Sequence, residues 1–188
     1  PDREYLLVTE FLLDATEITD AEVDDGVIAG GLDIVRELWR SGLAHRDIKP
    51  ANVMVQDGTV RLIDVSFSQV RPSPWRQAVD LANMMLVLAL QSDAETVYAH
   101  ATERFSEDEI AEAFAASRGV TLPSQLRRDV RQSGRDLLED FRALAPERPP
   151  VRIQRWSFRR IGLMVWVLAI AAAVIGIIVS NLPAIGLA

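Results

Sequence analysis

His45–Val55, HRDIKPANVMV, sets an acid, a lysine and an asparagine side by side in one short loop, Asp47, Lys49 and Asn52, and then runs directly into apolar sequence. A second β-branched run, ending RLIDV at Val65, closes on Asp64. Asp57-Gly58 between the two runs is a strong hairpin signal, so the chain is expected to turn back on itself there. That return brings Asp64 beside the loop of Asp47 and Asn52, gathering two carboxylates and one amide oxygen at one edge. Hard oxygen donors of this kind suit Mg²⁺, which takes one or two protein carboxylates and shares its remaining positions with phosphates and water. Lys49 adds positive charge where a transferring phosphoryl group would gather negative charge. The Asp47 carboxylate, two residues from it, could accept a hydroxyl proton. The set fits phosphoryl transfer better than metal-assisted hydrolysis.

The flanking sequence predicts mostly helix. Tyr5–Ile18 opens as an apolar run that reads as a buried strand leading into a connector. Asp24 and Asp25 supply an acidic helix start, followed by Ile28, Leu32, Val35 and Trp39 at helical spacing, with Gly42 as the stop. Trp75–Leu90 is apolar nearly all round, as a central helix would be. Ser106 and Glu109 form a capping box ahead of Ile110 and Phe114. Leu126, Val130, Leu137, Phe141 and Leu144 predict one face of a last amphipathic helix, and APERPP after it reads as a linker.

Charge and hydropathy divide the chain. Residues 1–146 carry 26 acids against 15 bases, whereas 147–160 hold Glu147 and five arginines, Arg148, Arg152, Arg155, Arg159 and Arg160. Residues 161–180 then pass without a charge, a length that predicts a transmembrane helix. Arginines crowded at one end of such a helix predict that the preceding domain lies on the cytoplasmic side, at the inner membrane of a bacterium. The arginines can also touch anionic headgroups. The expected organisation is therefore a domain over 1–145, an Arg-rich juxtamembrane linker over 146–160, the membrane helix over 161–180, and a short tail over 181–188. An acidic domain excludes a nucleic-acid surface, which needs a basic footprint. Cysteine is absent, and His45 and His100 are the only imidazoles, so disulfides, thiolate sites and histidine-rich metal sites are excluded. The chain starts at Pro1 rather than methionine, which points to a processed start or a fragment.

HRDIKPANVMV followed by RLIDV strongly resembles the catalytic loop and magnesium-binding strand of eukaryotic-like Ser/Thr protein kinases. The resemblance covers about residues 5–145. It implies the helical C-terminal lobe of that fold, mainly α with a small β-hairpin. By the resemblance Asp47 is the catalytic base, Lys49 steadies the transferred phosphate, and Asn52 and Asp64 hold Mg²⁺. LLVTEFLLD resembles the hinge, with Thr9 as gatekeeper and the backbone of Glu10 and Leu12 facing the adenine of ATP. Asp80 resembles the buried aspartate that anchors the catalytic loop from the central helix. His45 is read as structural, packing on the core and hydrogen bonding Asp80. Ser66, Ser68 and Ser73 read as plain loop residues.

Three departures shape the expectation. Asp64-Val65-Ser66 stands where protein kinases have Asp-Phe-Gly. The run from Asp64 to Asp80 is shorter than a usual activation segment and lacks an Ala-Pro-Glu end. No glycine-rich loop is present, and Lys49 is the only lysine, so the N-terminal lobe is missing from this stretch. Without it, the 188 residues are expected to bind Mg-ATP weakly and to transfer no phosphoryl group. A short segment is similar to atypical kinases of the RIO-like or lipopolysaccharide-kinase-like groups. The expected function is thus a membrane-anchored, ATP-dependent phosphotransferase with an unknown hydroxyl acceptor. The alternatives are a pseudokinase acting as a scaffold, and a kinase for a small-molecule or lipid-linked acceptor.

Overall fold

A computed structural model describes residues 11–117, 121–147, 166–168, 170–173 and 175. The chain divides into two units, Pro1–Val151 and Arg152–Ala188. The first is mainly helical, with two small sheets.

Its first helix, α1 (Asp25–Arg40), starts where the Asp24 side chain accepts the Val27 N–H at 2.9 Å, satisfying one of the free donors of the first turn. Asp25 and Arg40 match the helix dipole at the two ends. Val27, Ile28, Leu32 and Val35 are buried. Gly31 sits among them because a Cβ there would come within 3.3 Å of Leu88 and Met84. Gly42, at φ +66°, ends the helix as expected of a residue without Cβ strain.

The chain then enters β2 (Leu43–Ala44), a 3₁₀ turn at Pro50–Asn52, and the hairpin of β3 (Val53–Gln56) and β4 (Thr59–Leu62). Asp57 at φ +49° and Gly58 at φ +71° are both left-handed, the requirement of the expected tight turn. β1 (Thr16–Glu17) adds an antiparallel third strand on β3, and β5 (Gln69–Val70) pairs antiparallel with β2. Within the described part of the expected stretch Tyr5–Ile18, β1 is the strand present. Residues 1–10 lie outside the described residues, and Phe11 and Leu13 are exposed outside any strand.

The centre is α2 (Pro74–Gln91), buried without interruption from Ala78 to Ala89. It packs against α1, α3 (Ala94–Thr102), α4 (Glu107–Ala116), α5 (Ser124–Gln132) and α6 (Leu137–Leu144). Each buried leucine or methionine of α2 contributes about 1.5–3 kcal/mol. Its C-terminal carbonyls are capped from a distance: the Arg135 guanidinium donates to Ala89 O and Ser92 O at 2.8 Å and to Leu90 O at 3.1 Å. The capping box of Ser106 and Glu109 is present. Glu109 also receives the Arg36 guanidinium at 3.1 and 3.3 Å, tying α4 to α1. Phe114 stacks on Phe141 with centroids 4.6 Å apart. The single last helix is corrected to two, α5 and α6, because Gly134 at φ +69° breaks the run between Val130 and Leu137. α3 carries His100, and Ala94, Val97 and Ala101, three and four residues apart, form its buried face.

The membrane helix is also corrected. Among the described residues no helix is long and apolar enough to cross a membrane. The helical positions described within 161–180 are 166–168, 170–173 and 175. An uncharged run sets a composition; spanning needs an unbroken helix of sufficient length. The membrane anchor, and the cytoplasmic placement at a bacterial inner membrane drawn from it, are withdrawn with it. The Arg-rich segment from Arg148 onward lies outside the described residues.

Candidate functional site

The loop of Asp47 is hung from α2. Asp80, 1% exposed, accepts the His45 N–H at 2.5 Å and the Arg46 N–H at 2.8 Å. Burial pushes its pKa up to about 6, while the two backbone donors pull it down. Two donors converging on one carboxylate hold Arg46 at φ +71°, a conformation a non-glycine residue rarely adopts unless its surroundings impose it. Asp80 therefore does what the sequence predicts. His45 reaches it through its backbone, not its ring.

The His45 ring points elsewhere. Its Nε2–H donates to Ile63 O at 3.0 Å, which leaves Nδ1 as the acceptor facing the Asp47 N–H at 3.4 Å. Burial lowers its pKa, opposed by the Ile63 carbonyl and by the charges of Asp47 and Asp64. The neutral ring thus bridges the Asp47 loop to the residue before Asp64. Ile48, fully buried, and Pro50 pin the loop to the core, and they leave Asp47 and Lys49 partly exposed between them.

Around Asp47 the predicted set assembles. Lys49 Nζ donates to Asp47 Oδ2 at 2.5 Å, and Asn52 Nδ2 donates to the same oxygen at 3.1 Å and to Asp47 O at 2.8 Å. With its NH₂ spent on Asp47, Asn52 has its amide oxygen left as a ligand. The Ile63 N–H donates to Asn52 O at 3.0 Å, so the hairpin does bring Asp64 back beside the loop.

Asp64 stands at the mouth of a cleft of about 600 Å³ whose walls include Leu12, His45, Ile63, Val65 and Ser66. Its φ is +60°, and its side chain accepts Ser66 Oγ–H at 2.6 Å and Ser66 N–H at 3.4 Å, both on Oδ1. The Ser66 hydroxyl, then its N–H, hold the Asp64 pKa below the ordinary carboxylate value. Leu12 and Asp64 therefore share one cleft, and the loop of Asp47 and Asn52 is bonded to its lining residues His45 and Ile63. Glu10 and Thr9 lie outside the described residues.

The chain matches no protein-family model, no curated protein and no solved structure.

An ionised carboxylate and a free amide oxygen are hard donors and fit Mg²⁺, which needs few protein ligands. No group of three or more His, Asp or Glu able to hold a metal occurs among the described residues. A cation here would therefore rely on phosphate and water for its remaining positions. Ser66 was missed as a functional neighbour. Its signal was present, since a serine two residues after an aspartate readily closes a local side-chain turn. The His45–Ile63 bridge had no local signal, because its partners are far apart in sequence.

Proposed function

We propose that this chain carries the metal- and acceptor-binding half of an ATP-dependent phosphotransferase of the protein-kinase-like kind, moving the γ-phosphoryl group of ATP to a hydroxyl. The observation that carries the reading is the bonded group Asp47, Lys49 and Asn52, hung from the buried Asp80 and joined by the hairpin to Asp64.

In this reading the Asp47 carboxylate accepts the acceptor hydroxyl proton at Oδ1, the oxygen not engaged by Lys49 and Asn52. Lys49 stabilises the negative charge that gathers on the transferring group. Asn52 and Asp64 would hold Mg²⁺, which when bound neutralises charge between the phosphates. Leu12 lines the cleft on the side where adenine would lie, with Glu10 beside it in sequence. Most of the rate enhancement comes from positioning and charge, so a loop held by two buried hydrogen bonds suits the task.

The connection from Val65 to Ser73 is a 3₁₀ turn and one short strand leading straight into α2. So small a platform favours a small-molecule acceptor over a folded protein. The test is to incubate the full-length protein with γ-labelled ATP, Mg²⁺ and hydroxyl acceptors of both kinds. Label transfer that Asp47→Asn removes is expected. Nucleotide binding without transfer to any acceptor would leave a binding module.

A further inference from the structure

Asp64 is the exposed end of the site, and among the described residues its side chain accepts its hydrogen bonds from Ser66. What orients it is its own turn. Both hydrogen bonds fall on Oδ1, from Ser66 Oγ–H at 2.6 Å and Ser66 N–H at 3.4 Å. A carboxylate oxygen has two lone pairs, so these bonds occupy Oδ1 and leave Oδ2 as the open ligand. The positive φ of Asp64 places the carboxylate back over the Val65–Phe67 turn, within reach of both Ser66 donors.

We infer that Ser66 is a positioning residue that makes Asp64 a one-oxygen metal ligand and so selects Mg²⁺ against Ca²⁺. The inference rests on the reading of Asp64 as a metal ligand. Mg²⁺ demands near-octahedral geometry at short distances and is served by single carboxylate oxygens. Ca²⁺ accepts more ligands and often takes both oxygens of one carboxylate. With Oδ1 engaged by Ser66, the two-oxygen mode requires breaking the 2.6 Å bond, whereas the one-oxygen mode keeps it. Hydrogen bonds to a ligating carboxylate also orient it before the metal arrives, and their loss typically weakens metal binding about 10–100-fold.

The experiment titrates Mg²⁺ and, separately, Ca²⁺ against binding of a fluorescent ATP analogue to the full-length protein, for wild type, Asp64→Asn, Ser66→Ala and Ser66→Thr. Ser66→Ala is expected to raise the half-saturating Mg²⁺ concentration about tenfold while changing that for Ca²⁺ little, so the preference between the ions narrows. Ser66→Thr, which keeps the hydroxyl, should restore the wild-type ratio. An unchanged ratio in Ser66→Ala, whatever its melting temperature, would overturn the inference, as would tighter Mg²⁺ binding. If Asp64→Asn weakens metal-dependent binding and Ser66→Ala does not, the phosphotransferase reading stands and this inference alone fails. If Asp64→Asn matches wild type, or wild type shows no metal-dependent binding, the metal-ligand reading fails as well.

Discussion

The loop of Asp47 and the turn of Asp64 are neighbours held by opposite means. The first is fastened by bonds to α2 and to Ile63, with Ile48 fully buried beneath it. The second is fastened by bonds from Asp64 to its own second neighbour, and the chain beyond it exposes Phe67 by 57% and Val70 by 71%. One half of the site is therefore positioned by the core, and the Asp64 carboxylate by a residue two positions along the chain. In the proposed phosphotransferase the difference would suit a division of labour, with Asp47 and Lys49 fixed while the Asp64 side tolerates ligand entry and exit. It also means that the two halves should respond differently to perturbation.

The largest effect expected is chemical. Asp47→Asn removes a proton acceptor and keeps the hydrogen-bonding shape, so turnover should fall ~10²–10⁴-fold. Nucleotide affinity and melting temperature should stay close to wild type. Steady-state kinetics beside a thermal melt of the full-length protein would show it. Wild-type turnover in this variant would remove Asp47 from the role of base.

Next comes the core beneath the fixed half. Phe114→Ala removes a buried ring stacked on Phe141 and should cost about 3–5 kcal/mol in a urea titration. Because the Asp47 loop rests on the same helical core, probes in the loop and in α4 should lose structure together. A loop that melts separately would break the contrast drawn above.

A smaller effect follows from pH. Asp80 titrates at about 6, above its ordinary value of 3.8. The folded state holds that proton more tightly than the unfolded chain does. Through this group alone, stability rises as pH falls through 6 toward 4, by at most about 3 kcal/mol. The same proton takes away an acceptor facing the His45 or Arg46 N–H, so the loop should loosen while the fold persists. Turnover is expected to decline below about pH 6 with no matching drop in melting temperature; a decline that tracks unfolding would count against it.

The smallest effect belongs to the exposed side. Phe67→Ser should change stability by no more than about 0.5 kcal/mol, since the residue is 57% exposed and its turn is closed by the bond from Ser68 N–H to Val65 O. A cost of several kcal/mol would show that the turn is anchored tertiarily after all.

Much of this fold was legible because its signals are local. The acidic start at Asp24-Asp25, the Gly42 stop, the Asp57-Gly58 hairpin and the Ser106–Glu109 box each need only a few adjacent residues. Each stands where the sequence put it. The α5–α6 break was less legible. Gly134 inside a periodic face is compatible with one helix or two, and the choice depends on Arg135 reaching back to cap α2. The transmembrane helix expected from the uncharged run over 161–180 is not found among the described residues, and composition alone does not fix the length of a helix.

By itself the sequence determined which groups would stand in the site. Asp47, Lys49 and Asn52 are close in the chain, and a tight turn can return Asp64 to them in only one way. It also determined that no thiolate or histidine cluster would take part. Only the tertiary structure decided how each group is held there. Asp80 sits on a different helix from the loop it holds, and its burial is set by every helix packed on α2. His45 chose Ile63 O rather than Asp80 for its ring because the Asp80 oxygens already face two backbone donors. Bonds across long sequence separations form only once the core has brought both partners out of water, and no local pattern encodes that.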